Sequence, residues 1–245
     1  MGFAWHEFGF NVGMPHMAAG EKLSEVEFLK TLALYQWESI ARLLGRQPRD
    51  IATDSGERLY GSVIDFQMSL GRHSPESLGE GADVFVRNRI SVFANRFVEG
   101  LFVFDDAPIP DSDLAKIASL EDLRAQERPW AYMTNAFIAR MGGNARLKIY
   151  VPSGMDALDV EPLASSPPGI EDQRVAQATG EMAEFDETPK RRIEPARNVG
   201  PIEYQILWES DVNGAGLVYF ARYVAMANYA ERMFLRDQLD VPLTS

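Results

Sequence analysis

The chain has 245 residues, a formal net charge of −12 at pH 7 and no cysteine. The length allows one large core or two small ones, and the lack of thiols excludes disulfides, a catalytic cysteine and a cysteine metal site. With 3 histidines, a multi-histidine metal site is not expected, and the acidic charge argues against general nucleic-acid binding.

The apolar segments are short. No run approaches the roughly 20 apolar residues that span a bilayer, and the first residues lack the basic and apolar regions of a signal peptide. We therefore expect a cytoplasmic protein that does not enter a membrane.

Residues 9–17, G-F-N-V-G-M-P-H-M, predict a short strand and a turn ahead of a long helix. His16 lies in this turn. It is either a catalytic imidazole aimed at a substrate near the helix or a loop histidine that is hydrogen-bonded to the backbone.

The stretch from Leu23 to Gly45 predicts a buried helix. Ser24 and Glu27 have the spacing of a capping box, and Gly45 suits a left-handed helix end. Apolar side chains cover most of the circumference, which is typical of a buried helix. They include Val26, Leu29, Leu32, Leu34, Trp37, Ile40, Leu43 and Leu44.

Strand-like segments follow for about a hundred residues. Alternation over residues 59–70 predicts a strand with Tyr60 on the same face as Ile64 and Phe66. The Tyr60 hydroxyl would be semi-buried there, either as part of a site or as a packing residue with a satisfied hydroxyl. Residues 82–104 predict two strands with a bend near Ala94–Asn95.

The next segments complete the predicted sheet. Residues 105–129 form an acidic excursion with a short helix from Asp111, and residues 130–141 and 146–151 predict two more strands. We interpret Arg87, Arg89 and Arg96 as solvated strand positions rather than as a phosphate site. A sheet that wraps one long helix is an α+β arrangement.

The remaining chain divides in two. Residues 152–199 are rich in proline and acids and predict a linker. Residues 200–245 predict a second unit, with a strand from Ile202 to Glu209, a turn, and a helix from Tyr219 to Arg236. The predicted domains are therefore residues 1–151, the linker 152–199, and residues 200–245, with no sheet after the second helix.

Two motifs resemble known families. The segment before the second predicted helix resembles the D-x-(D/N)-x-x-G-x-V-Y/F-x-x-x-Y motif of hot-dog-fold thioesterases of the 4-hydroxybenzoyl-CoA type, with Asp211, Asn213, Gly216, Val218, Tyr219 and Tyr223 at its defined positions. In the first half, the segments G-M-P-H-M at 13–17, L-S-E at 23–25 and G-x-R-L-Y at 56–60, together with Trp37, resemble bifunctional acyltransferase/decarboxylases of polyketide biosynthesis, of the leinamycin-pathway type.

The resemblance implies a double hot dog whose second unit is incomplete. It implies an enzyme that decarboxylates methylmalonyl-CoA, or a similar malonyl thioester, and transfers the acyl group to an acyl carrier protein. Coenzyme A enters as part of the substrate, and no other cofactor is expected. A homodimer is a further expectation, because a second chain could complete the sheet.

The resemblance also implies the site residues. Tyr60 corresponds to the family's active-site tyrosine, acting either as a nucleophile or as a donor to an enolate. His16 and Asn213 join it as catalytic candidates. Asn213 stands where the thioesterase motif has a carboxylate, and an amide can donate to a thioester oxygen but cannot act as a base. The predicted substrate-binding residues are Met14, Pro15, Trp37 and Gly216.

Two alternatives remain at this stage. One is a thioesterase or dehydratase that uses His16 with a helix carboxylate, Glu27 or Glu38. The other is a non-catalytic hot-dog protein that binds acyl chains or partners.

Overall fold

The computed structural model describes residues 5–140, 148–158, 162–179 and 202–239. The chain separates into two compact units, Met1–Ser165 and Ser166–Ser245. The division falls inside the predicted linker. Much of that linker, including the basic residues Lys190, Arg191 and Arg192 of the sequence, lies outside the described residues, as does the segment Gly142-Gly143-Asn144 between the last two predicted strands. The predicted domain boundaries therefore stay a prediction.

The first unit is one long helix on an antiparallel sheet. The helix, α1, spans Glu25–Leu43. The sheet strands are β1 (His6–Asn11), β4 (Leu59–Ser69), β5 (Asp83–Phe93), β6 (Phe97–Asp105), β7 (Trp130–Ala139) and β8 (Lys148–Ile149). Their order is β1-β5-β6-β7-β4, with β8 paired to β7. A separate two-stranded ribbon joins β2 (Met17–Ala18) and β3 (Lys22–Leu23).

The capping interactions predicted for the two ends of α1 form only in part. The Ser24 hydroxyl accepts from the Glu27 backbone N–H at 3.4 Å, and Gly45 has φ of 62° as predicted. The reciprocal half of the capping box does not form, because the Glu27 carboxylate pairs with Lys30 at 2.7 Å instead. The cap is thus a single hydrogen bond with a favourable acidic first turn.

The burial of α1 is confirmed. Phe28, Leu29 and Leu32 are fully buried, and Phe28 packs edge-on against Phe104 of β6 with ring centroids 4.8 Å apart. Near the other end of the helix, Ile40 joins a cluster of apolar side chains from β5, β6 and β7. Trp37 is only partly buried at the edge of this cluster.

The opposite face of the sheet carries a second core. The segment between β6 and β7 contains α2 (Asp111–Leu114) and α3 (Leu120–Arg124). Its apolar side chains pack with outward-facing residues of β6 and β7, namely Leu101, Val103, Trp130 and Tyr132. The acidic excursion is therefore a cover rather than a free loop, and it buries the outer face of the central strands.

This cover corrects the interpretation of the arginines. Arg89 is only 4% exposed, and its guanidinium donates to the Ile117 carbonyl oxygen at 2.8 Å. Arg87 is part-buried and pairs with Glu7 at 3.0 Å. Only Arg96, in the turn after β5, is exposed as predicted. Alternation along a strand cannot reveal that a distant loop covers its outer face.

The turn between β5 and β6 is where the sequence placed it. Ala94 and Asn95 have φ of 51° and 55°, and the Arg96 N–H donates to the Phe93 carbonyl oxygen at 3.2 Å to close the turn. The predicted linker, in contrast, begins with residues that pack on the first unit, since Met155 is buried in the Ile40 cluster.

The second unit is helical in its described residues. It contains α4 (Pro168–Thr179), α5 (Trp208–Asp211) and α6 (Phe220–Leu239). The predicted strand at Ile202–Glu209 is wrong: this segment is extended without strand pairing and then enters α5. Within the described part of this unit no second strand is present to pair with it.

The close approach of α1 to β6 yields a testable prediction. A Cβ atom on Gly100 would overlap the amide oxygen of buried Gln36. Gly100→Ala should therefore lower the free energy of unfolding by about 1–3 kcal/mol through overpacking, measured by urea denaturation. Gly79→Ala is the control, because its Cβ would meet its nearest neighbour, the Glu76 carbonyl oxygen, at an ordinary 3.5 Å. Equal stability of the two variants would contradict the packing described.

Candidate functional site

Met14, Pro15 and His16 form one 3₁₀ turn, which the β2–β3 ribbon separates from the long helix along the chain. The backbone holds this turn at both ends. Val12 exchanges hydrogen bonds with Ala82 and Gly81 at 2.8 and 2.7 Å, and the His16 carbonyl oxygen accepts from the Ser24 N–H at 2.7 Å. The turn is therefore anchored to the N-terminus of α1, with Met14 and Pro15 exposed.

The His16 imidazole has a defined orientation. The Gly13 backbone N–H donates to its Nδ1 atom at 3.1 Å, and the ring lies 5.0 Å from that of Phe10. Because Nδ1 accepts a hydrogen bond, the neutral ring carries its proton on Nε2. His16 can thus donate a hydrogen bond from Nε2.

Tyr60 lies on the outer face of the sheet. On β4, Leu59 packs in the helix-facing core, so Tyr60 points to the other side. The pairing of β4 with β7 shifts by one residue between Val63 and Asp65, and this bulge moves Phe66 to the helix-facing side. The prediction that Tyr60 shares a face with Phe66 is therefore wrong. Its ring stacks beneath the Arg58 guanidinium, 5.1 Å away.

Tyr60 and His16 are not brought together within the first unit. Gly61, next to Tyr60, lies against the Trp37 ring, whereas His16 is bonded to Ser24. The 13 helical positions between Ser24 and Trp37 correspond to about 20 Å at 1.5 Å per residue. A single substrate atom in this unit cannot contact both side chains.

Trp37 meets β4 at a glycine. A Cβ atom on Gly61 would lie 3.2 and 3.3 Å from two carbons of the Trp37 ring and 3.5 Å from the Asn135 Nδ2 atom. Asn135 in turn accepts from the Gln36 amide at 2.6 Å. The predicted substrate-binding tryptophan therefore lies beside a polar group of β7.

Asn213 lies in a tight turn ahead of α6 in the second unit. Its side-chain oxygen Oδ1 accepts from the backbone N–H groups of Ala215 at 2.9 Å and Leu217 at 3.1 Å. These two donors fix the amide orientation. The Nδ2 group thus faces away from the turn, and it has no hydrogen-bond partner among the described residues. Gly216 in the same turn has φ of 73°, where glycine is favoured.

Asp211 holds the start of this turn. Its carboxylate is fully buried and pairs with Arg222 at 2.7 Å. It also accepts from the Leu207 N–H at 2.8 Å, the Ser210 hydroxyl and the Tyr204 hydroxyl. The hydrogen bond from Leu207 is the main reason that the pKa of Asp211 is lowered, with Ser210, Tyr204 and Arg222 adding to it.

The carboxylate candidates on α1 are ion-paired. Glu27 pairs with Lys30, and Glu38 pairs with Arg42 at 3.6 Å. Both glutamates are only part-buried. Each carboxylate therefore already has a cationic partner and is not held free for proton transfer.

One group of described residues offers ligand atoms for a metal. Atoms of His73, Asp105 and Asp106 lie within 4.8 Å of one another. Arg72 and Arg128, however, both contact the buried Asp105 carboxylate at 2.8 Å. These two guanidinium groups already neutralise the carboxylate charge that would attract a cation. The cluster is therefore a set of ion pairs that joins neighbouring loops.

Sequence reasoning missed Gln36, Asn135 and the locking role of Asp211. Gln36 is polar on an otherwise apolar helix and is 1% exposed. A polar residue among the apolar positions of the helix is a sequence signal that could have identified Gln36. Nothing in the sequence pointed to Asn135, because its partner is 99 residues away.

The similarity of this chain to known proteins is found in the three-dimensional structure and not in the sequence. The sequence matches no protein-family model and no curated protein. A protein described as an oleoyl thioesterase from Lactobacillus plantarum aligns with a TM-score of 0.56 and 10% identity, over 95% of this chain and 74% of its own. An acyl-ACP thioesterase from Bacteroides thetaiotaomicron aligns with a TM-score of 0.53 and 12% identity, over 96% and 76%.

The chain has the hot-dog fold. The wrapped helix α1 and the antiparallel sheet agree with these two structures, as the sequence resemblance predicted. Among the described residues, no helix has the length and apolarity of a membrane span. The narrower resemblance to acyltransferase/decarboxylases is not confirmed, and the roles of the predicted site residues remain predictions.

The Asp211 network gives a pH prediction. Because the folded-state pKa of Asp211 lies below the ordinary value of 3.8, its stabilising contribution is present above that value and is lost as pH falls through the folded pKa. The Leu207 amide should therefore be more protected from hydrogen exchange in the wild type than in Asp211→Asn at pH 7. That difference should shrink below about pH 4.

Glu231→Gln is the matched control, since it removes one exposed carboxylate from α6 and should leave Leu207 protection unchanged. A pH-independent difference between wild type and Asp211→Asn would contradict the role of the ionised carboxylate.

Proposed function

We propose that the protein is an enzyme of acyl thioesters carried by coenzyme A or by an acyl carrier protein. The observation that carries the proposal is the Asn213 turn in a hot-dog chain. The backbone amides of Ala215 and Leu217 hold the side-chain oxygen, so the amide N–H₂ is a fixed donor ahead of a helix. Such a donor suits a thioester carbonyl, where negative charge develops during reaction.

Hydrolysis is the first reaction to test, because the two similar structures are described as thioesterases. It requires a group that activates water, and none of the predicted residues offers a free base: the neutral His16 ring accepts from Gly13 at Nδ1 and carries its proton on Nε2, while Glu27 and Glu38 are engaged with basic neighbours. In this reaction Asn213 would stabilise the tetrahedral oxyanion.

Decarboxylation with acyl transfer is the second candidate. The Asn213 oxygen is committed to two backbone amides and Asp211 to Arg222, so the turn presents a donor and no base. Loss of carbon dioxide from a malonyl-type thioester needs no base. The bond from the α-carbon to the carboxylate breaks, its electrons form the thioester enolate, and a proton then adds to the α-carbon.

Product analysis separates these reactions. The protein is incubated with methylmalonyl-CoA, butyryl-CoA and an acyl carrier protein, and the products are identified by mass spectrometry. Free acid indicates hydrolysis. A propionyl thioester indicates decarboxylation, and its appearance on the carrier protein indicates transfer. Unchanged thioesters would overturn the enzymatic proposal and favour the binding-only alternative.

Asn213→Asp tests the donor. The new carboxylate can keep both backbone hydrogen bonds, so the turn should persist while the N–H₂ donor is replaced by an acceptor. Decarboxylation should fall roughly 10²–10³-fold, as for loss of an oxyanion donor. The variant also restores the carboxylate of the thioesterase motif, but we expect no new hydrolysis, and its appearance would show that the turn can work with a carboxylate. Asn228→Asp on the exposed side of α6 is the matched control. Unchanged turnover would remove Asn213 from the site.

Tyr60→Phe tests the tyrosine predicted from the resemblance. If the hydroxyl is a nucleophile, acyl transfer should be abolished. If it donates to an enolate, the rate should fall roughly 10²–10³-fold with measurable residual decarboxylation. Tyr150→Phe, a part-buried tyrosine of the same unit, controls for loss of a phenol hydroxyl. Unchanged rates would leave Tyr60 as a packing partner of Arg58.

A further inference from the structure

Three basic residues border one end of the sheet in the first unit. β4 and β7 are paired as far as Leu59 and Ala139, and Arg58 and Arg140 are the next residues on these two strands. On the other side of β7, Lys148 pairs with Ala139. All three basic side chains are exposed. Because neighbouring strands lie about 4.8 Å apart, Arg58, Arg140 and Lys148 form a basic patch about 10 Å across.

The Arg58 guanidinium is held with its hydrogen-bonding edge free. It lies over the Tyr60 ring, 5.1 Å from the ring centroid, and the Arg58 backbone is fixed by a bridge to Ala52. Stacking on the ring occupies one face of the guanidinium plane, so the N–H groups along its edge can still bind an anion with two hydrogen bonds. Within the described ranges, no carboxylate pairs with Arg58.

The nearest carboxylate along the chain, Glu57, is engaged elsewhere. Its Oε2 atom accepts hydrogen bonds from the hydroxyl groups of Thr53 and Ser55, both at 2.5 Å. These hydroxyl groups hold the carboxylate within its own hairpin. Lys148 also has no ion pair in the part of the chain that the structure describes. The basic patch therefore keeps positive charge available to a ligand.

The net charge of the protein gives this patch its significance. The chain carries a formal charge of −12, so its overall field repels a polyanion. Coenzyme A is such a polyanion, with a diphosphate and a ribose phosphate, and its binding calls for a local group of cations. The strand arginines nearest the helix do not supply one, because Arg89 donates to the Ile117 carbonyl oxygen and Arg87 pairs with Glu7.

We propose that Arg58, Arg140 and Lys148 bind the phosphate groups of a coenzyme A thioester. This inference rests on the proposed function and assigns the residues that recognise the carrier group of the substrate. The edge of the Arg58 guanidinium donates to phosphate oxygens, as bidentate arginine contacts do, and Arg140 and Lys148 add positive charge on either side of the end of β7. A patch about 10 Å across fits such groups, whereas a protein partner needs roughly 800 Å² of surface.

The test measures affinity with thioethers, which the enzyme cannot hydrolyse. Isothermal titration compares S-butyl-CoA with S-butyl-pantetheine, which lacks the nucleotide and every phosphate group. The wild type should bind S-butyl-CoA roughly tenfold more tightly or better. This advantage should shrink as sodium chloride is added, because salt screens exposed charges. S-butyl-dephospho-CoA, which lacks the ribose phosphate, then distinguishes that phosphate from the diphosphate.

Variants of two strands probe the patch independently. Arg58→Gln and Lys148→Gln should each weaken the binding of S-butyl-CoA roughly fivefold and leave that of S-butyl-pantetheine unchanged. Arg58→Lys keeps the charge without the planar fork and should lie between wild type and Arg58→Gln. Arg124→Gln is the matched control and should bind both ligands as the wild type does. Arg124 is exposed and contacts Gln67, about 26 Å along β4 from Leu59.

The outcomes separate the patch from the proposed function. If the wild type binds both thioethers equally, the phosphate site is overturned while binding of the acyl group stands. If it prefers S-butyl-CoA but the patch variants behave like Arg124→Gln, the phosphates bind elsewhere and the assignment is overturned. Loss of affinity for an acyl carrier protein without loss for S-butyl-CoA would overturn it in favour of a protein partner. If the wild type binds neither thioether, the proposed function falls together with the patch.

Discussion

The burial of α1 against the sheet is the constraint on which the first unit depends. An apolar helix of this kind must remove most of its circumference from water. The strands do so by curling around it, and the backbone comes closest where glycine replaces a side chain. Gly100 admits Gln36 between helix and sheet, and Gly61 admits the Trp37 ring. The helix therefore fixes which strand positions are small and which amides face the interior.

This packing couples polar groups to an apolar core. A buried amide costs free energy unless its hydrogen bonds are made, so Gln36 is tied to Asn135 and Met133. The arrangement gives the interior a defined orientation that apolar contacts alone would not specify.

The second unit is held together by a different kind of interaction. Its described residues contain a long helix and a turn, and the turn is held by a buried carboxylate rather than by a sheet. The Asp211 carboxylate pairs with Arg222 and accepts hydrogen bonds from the Tyr204 hydroxyl and the Leu207 N–H. Asn213 is then the polar side chain whose Nδ2 group faces away from the turn. The motif that resembles thioesterases thus separates into a structural acid and a neutral donor. That separation is the physical basis for expecting acyl-thioester chemistry without a carboxylate base in the turn.

The sequence by itself determined the helix, the β5–β6 turn and the fold class. These features depend on local rules: apolar periodicity, a capping serine at Ser24, and residues that tolerate left-handed φ at Asn95 and Gly45. Tertiary structure decided the rest. The bulge after Val63 put Tyr60 on the outer face, the excursion after β6 buried Arg89, and Gln36 met Asn135 across 99 positions. These outcomes depend on strand register and on contacts between distant segments, which local patterns do not encode.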